Sequence, residues 1–220
     1  MKMMKLAPAL AFVALTTPAM AADGAWSFGV TAGTYGAGAE LGFRPAERFG
    51  LRVNGGFFSY DHEVDVDDIG YDGELDLNSF GLMLDWYPLG GRFRISAGGR
   101  FNDNEIAVHA TPATNVTVGD VVFTPAEVGS LSGTITTDSF APALTLGWGG
   151  KLKPGFTMSF EVGVMLQGSP KIENLRSTGG LLSNDPALLA ELRREELRVE
   201  EEARDFKYWP ILQLSFLYRF

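Results

Sequence analysis

Residues 156–167, FTMSFEVGVMLQ, carry two alternating sets of side chains. One parity reads Phe156, Met158, Phe160, Val162, Val164 and Leu166; the other reads Thr157, Ser159, Glu161, Gly163, Met165 and Gln167. A period of two with one apolar and one polar or small face is a strand signature. Residues 93–102, FRISAGGRFN, repeat it, with Phe93, Ile95, Ala97 and Phe101 opposing Arg94, Ser96, Gly98, Arg100 and Asn102. Runs of about 9–11 residues are long enough for a tilted strand to cross a bilayer.

The pattern extends in both directions. Trp26–Gly33, Ala37–Arg44, Leu51–Phe58, Ser79–Trp86, Phe140–Trp148 and Tyr208–Phe220 alternate in the same way, giving about eight segments. Short turns at Pro45–Arg48, Pro88–Gly91 and Gly149–Gly155 separate longer connections at Asp61–Gly73, Asp103–Gly133 and Gly168–Asp205. Only the hairpin near Tyr35-Gly36 is tight on the long side. Short turns at one end and long loops at the other are the asymmetry of outer-membrane barrels, with the short side periplasmic. The expected fold is therefore all-β, an antiparallel up-and-down transmembrane β-barrel of about eight strands. Ten strands remain an alternative, as does a soluble two-sheet sandwich, which also alternates.

Composition narrows the chemistry. The 220-residue chain has a formal charge of −9, no cysteine and two histidines, His62 and His109. A net acidic chain lacks the clustered Lys and Arg that neutralise nucleic-acid phosphates. Without cysteine there is no disulfide scaffold, thiol nucleophile or cysteinyl zinc site. No cofactor and no metal is expected. Lys2 and Lys5, an apolar stretch from Leu6 to Thr17 and Ala19-Met20-Ala21 read as a cleaved signal peptide over residues 1–21. Residues 22–220 would then form the barrel domain, with a charge of −11 once both leader lysines are removed from the −9 total.

Trp26, Trp86, Tyr87, Trp148, Tyr208 and Tyr218 fall near strand ends, where amphipathic rings suit the headgroup layer. Leu212, Leu214, Phe216, Tyr218 and the terminal Phe220 alternate up to a C-terminal aromatic. With "GAGAELGFRPAERFGLR", "LMLDWYPLGGRFRISAG" and "FLYRF", the chain resembles small Gram-negative outer-membrane β-barrel proteins of the OmpA-transmembrane and OmpW-like kind. The resemblance implies a bacterial outer-membrane location and a C-terminal run read by the barrel-assembly machinery. It implies contact with outer-membrane lipid and lipopolysaccharide, and brings no catalytic signature. A monomer is expected.

With apolar residues facing lipid, the opposite parity fills the interior. An eight-stranded barrel leaves space only for side chains. Charges enclosed there should pair, because an isolated buried ion is costly. Glu40, Asp85 and Glu161 are expected to bridge to Arg52 and Arg94; Arg44, Arg100 and Arg219 belong either to this set or to a solvated rim.

In the last loop, Asn184 or Asp185 can cap a helix that begins near Pro186 and runs through Ala203, resting as a solvated helix on the rim or closing the mouth as a lid. Asp61, Glu63, Asp65, Asp67, Asp68, Asp72, Glu74 and Asp76 make an acidic loop. It matches a calcium loop poorly, because Ile69 fails at the fifth position. Gly119-Asp120 suits a tight turn in an external hairpin. His62 beside Ser59 and Asp61 is the one catalytic candidate, but adjacent strand residues face opposite ways, so Asp61 cannot orient the imidazole. The expected role is non-enzymatic: envelope integrity or surface interaction through long loops. Two alternatives are a narrow conduit for small apolar solutes and a rim-site lipid A-modifying enzyme.

Overall fold

The computed structural model describes residues 25–66, 69–150 and 152–220. The expected leader, residues 1–21, lies outside the described residues. Along the chain run β1 (Trp26–Gly33), β2 (Gly36–Phe43), β3 (Phe49–Val66), β4 (Ile69–Trp86), β5 (Phe93–Asn102), β6 (Glu105–Pro112), β7 (Val116–Val118) and β8 (Val121–Phe123). After these come α1 (Pro125–Val128), β9 (Gly129–Thr136), β10 (Phe140–Trp148), β11 (Gly155–Leu166), β12 (Lys171–Gly179), α2 (Pro186–Ala203) and β13 (Tyr208–Arg219).

Eight of these strands close on themselves in the order β1-β2-β3-β4-β5-β10-β11-β13, every pair antiparallel, with β13 returning to β1. The ten-strand alternative fails because, among the described residues, β7 and β8 pair only with each other. The sandwich alternative fails on orientation. Along β10, exposed and buried residues alternate through the whole strand, with Phe140, Leu144, Leu146 and Trp148 outside and Ala141, Ala143 and Thr145 inside. Leu84, Phe101, Phe160 and Phe216 are each at least half exposed on the outer surface. The apolar rows therefore wrap the barrel, and its polar parity is the buried one.

Above the barrel the structure departs from the expected loops. Within the expected loop Asp61–Gly73, Asp61–Val66 and Ile69–Gly73 are strand, because β3 and β4 pair in one register from Phe49↔Trp86 to Val66↔Ile69. β6, β9 and β12 line up beside the upper half of β4, forming a five-stranded wall in the order β3-β4-β6-β9-β12. The physical reason lies in the strands themselves. Up to Phe57 and Phe80 the outward positions are apolar; beyond them they become Ser59, Asp61, Asp72, Glu74 and Asp76. The inward positions change the opposite way, from Arg52, Asn54, Asp85 and Ser79 to Phe58, Tyr60, Leu75 and Leu77. The period of two persists while its sense reverses, so the stretch reads as a charged loop. A calcium loop from Asp65 is incompatible with this geometry, because residues 69–76 are held in β4 between β3 and β6; Asp67 and Asp68 lie outside the described residues.

The expected helix is α2. Asp185 caps it by accepting from the Ala187 N–H at 2.8 Å, and Pro186 opens its first turn. It is not solvated all round. Leu188 and Leu192 are buried with Val118, Phe123 and Val128 in a second small core that also packs Leu131 and Leu175 of the wall. Gly119, at φ +60°, makes the tight turn of the external β7–β8 hairpin.

Candidate functional site: the barrel interior

The interior is filled in three tiers. The middle tier centres on Arg52, which projects inward from β3. Its guanidinium meets Glu40 of β2 at 3.1 Å, Asp85 of β4 at 2.7 Å and Glu161 of β11 at 2.7 Å. β3 and β11 stand four strands apart in a ring of eight, so the Arg52–Glu161 bridge crosses the full width of the barrel. Arg94 of β5 pairs with the same Glu161 oxygen at 2.5 Å and donates to the Ser159 hydroxyl at 2.8 Å. Ser96 accepts from Arg52 at 3.2 Å and donates to Asp85 at 2.6 Å. All five charged residues read from the sequence thus sit in one connected, buried network. Gly147 makes room for it, since a Cβ there would lie 2.7 Å from Arg94 Nε. The cavity beside the network is about 10 Å³, space for a single water at most.

The lower tier closes the short-turn end. Arg44 donates to the carbonyls of Gly90 and Gly91 at 3.0 Å, of Gly150 at 2.5 Å and of Glu47 at 2.5 Å, tying three turns together. Its guanidinium lies 3.4 Å from the centre of the Tyr87 ring. Tyr87 is only 3% exposed, which corrects its assignment to the girdle. Trp86 takes the outward position at the end of β4, and the next residue must turn inward. Trp86, Trp148, Tyr208 and Tyr218 are exposed on the outer surface, and Trp26 is half-buried with its ring 4.5 Å from that of Phe43. Arg44, Arg100 and Arg219 are all buried, so none belongs to a solvated rim.

The upper tier is a stopper that the sequence did not announce. Gly36, at φ +87°, allows the tight β1–β2 hairpin, and Tyr35 turns into the barrel against Met83, Ala141, Ala143, Met165 and Ile211. Arg100 lies 3.7 Å from the centre of the Tyr35 ring and donates to Asn54 at 2.5 Å and Ser79 at 2.8 Å. The one sequence signal for this stopper was the unusual shortness of that hairpin.

Leu212, Leu214, Phe216, Tyr218 and Phe220, expected from the sequence to form an assembly signal, all point outward. His62 does not meet Ser59 and Asp61 as a catalytic group; its Nδ1 lies 3.3 Å from the Tyr60 hydroxyl. Sequence reasoning missed a different row. Asp72, His109 and Ser132 are direct register neighbours across β4, β6 and β9, and Arg176 donates to the Ser132 hydroxyl at 3.3 Å. They line an open trough of about 660 Å³ on the outer face of the wall. Among the described residues no group of three side chains is placed to hold a metal ion.

No protein-family model and no curated protein sequence matches the chain. The solved structures similar to it include two Acinetobacter baumannii proteins. One is CarO2, at TM-score 0.58 and 20% identity, covering 89% of this chain and 98% of that one. The other is CarO, at TM-score 0.55 and 21% identity, covering 89% and 97%. At that identity the likeness carries the fold, a small closed antiparallel barrel.

Proposed function

We propose that this protein is a non-enzymatic, monomeric barrel of the bacterial outer membrane, its interior plugged by ion pairs. It serves envelope integrity or surface interaction through the wall that stands above the lipid. The carrying observation is the single network from Glu40 to Arg94 that spans the barrel between two closed ends. The outer surface supports the location: a belt of Leu, Phe and Trp is stable only against hydrocarbon, and the reversal to carboxylates above Phe57 and Phe80 suits water. The short-turn end is then periplasmic, and the wall extracellular.

The conduit reading has one observation in its favour, an apolar inner mouth of Phe58, Tyr60 and Ile106. It lacks the second requirement, a gap in the charged plug, because Arg52 reaches across to Glu161. Planar-bilayer recording of the purified protein separates the two. A plugged barrel gives no steady open state; a sustained pore of large conductance overturns the proposal.

A further inference from the structure

A sheet edge presents unpaired N–H and C=O groups, and proteins blunt such edges with prolines, bulges, charges or a covering helix. The wall has two edges, β12 and the upper half of β3. The β12 edge is covered. Glu196 and Glu200 of α2, one turn apart, accept the backbone N–H groups of Leu175 at 3.1 Å and Ile172 at 3.2 Å. Their carboxylates stand where a neighbouring strand would be. The β3 edge is different. Its pairing with β2 ends at Phe57, yet it continues to Val66 bound to β4, without a register shift and without a proline. Among the described residues no other strand takes its free side.

The faces flanking that edge define what fits it. On the outer face Asp61 stands with Asp72, Glu74 and Asp76 of β4. On the inner face Phe58 and Tyr60 are exposed, their rings near-parallel with centres 6.3 Å apart. A second copy pairing through the same edge would set one Asp61 row beside another, and like charges across a strand pair destabilise it. A strand with basic outer residues and apolar inner residues gains on both faces.

We infer that the β3 edge above Phe57 is a strand-addition site for an extended polypeptide that alternates basic and apolar residues. Main-chain hydrogen bonds supply the attachment, and the alternation supplies the selectivity. The inference rests on reading the wall as an extracellular interaction surface.

The test uses the full-length folded protein in detergent micelles and a fluorescent nonapeptide of alternating lysine and valine. Saturable binding is expected, weakened at least tenfold when the central valine of the peptide is proline, and weakened by Glu74→Lys. Equal binding of the two peptides, or none, overturns the inference. So does a dimer that forms without peptide and is trapped as a disulfide by Ser59→Cys. A membrane-impermeant maleimide applied to intact cells carrying Ser59→Cys tests the underlying reading separately. Labelling without peptide binding removes the strand-addition site alone; peptide binding without labelling keeps the site and removes the extracellular placement.

Discussion

Arg52 carries the electrostatics of the interior, since three carboxylates from three strands converge on one guanidinium. Its removal leaves Glu40 and Asp85 without their cation and Glu161 with Arg94 alone. Truncating one partner of a buried ion pair costs about 3–5 kcal/mol. Arg52→Ala should therefore destabilise the barrel by at least about 3 kcal/mol on that scale, read as a lower urea midpoint for unfolding from lipid vesicles by tryptophan fluorescence. A shift below about 1 kcal/mol, the value of a solvated pair, would show the network to be wet. These residues were legible in the sequence because inward carboxylates and guanidiniums enclosed in a narrow barrel lower their cost most by pairing, whereas Arg44 and Arg100 settle on carbonyls, polar side chains and rings. Tyr87 was misread although alternation places it inward, opposite Trp86, because an aromatic ring at a strand end also fits the girdle. Tyr35 was not legible, because its inward turn depends on the backbone of Gly36 rather than on any alternation.

At the scale of elements, the eight barrel strands followed from period-two runs, several of them to the residue: β1, β5 and β10 begin and end where the alternation does. The wall strands were hidden for a physical reason. Once both faces meet water or one another, apolar and polar positions no longer sort as they do against lipid, and β6, β9 and β12 carry short, mixed patterns. Their pairing also joins segments far apart in the chain, such as β9 with β12, which local sequence cannot reveal. α2 was visible from its cap and its helix formers, while its task at the β12 edge was not. Replacing both Glu196 and Glu200 by Ala should leave the barrel intact and loosen that edge. Each lost hydrogen bond at that partly buried edge is worth about 1–2 kcal/mol, so amide exchange at Ile172 and at Leu175 should rise roughly 5–30-fold while β5 amides stay protected. Unchanged exchange at both positions would mean that water, not the helix, caps β12.

The whole molecule combines two solutions to one problem. Its lower part buries polar side chains and shows apolar ones outside; its upper wall shows carboxylates outside and packs α2 over part of an apolar inner face. Both share the strands β3 and β4, so on the proposed outer-membrane reading the height at which the faces exchange marks the boundary between hydrocarbon and water. Nitroxide labels placed singly at residues 140–148 of β10, in lipid vesicles, measure this arrangement most directly through collisions with dissolved oxygen. High oxygen access at Phe140, Leu144, Leu146 and Trp148, with low access at Ala141, Ala143, Thr145 and Gly147, is the predicted result. Shielding of the Phe, Leu and Trp positions, with the alternation inverted or absent, would contradict it.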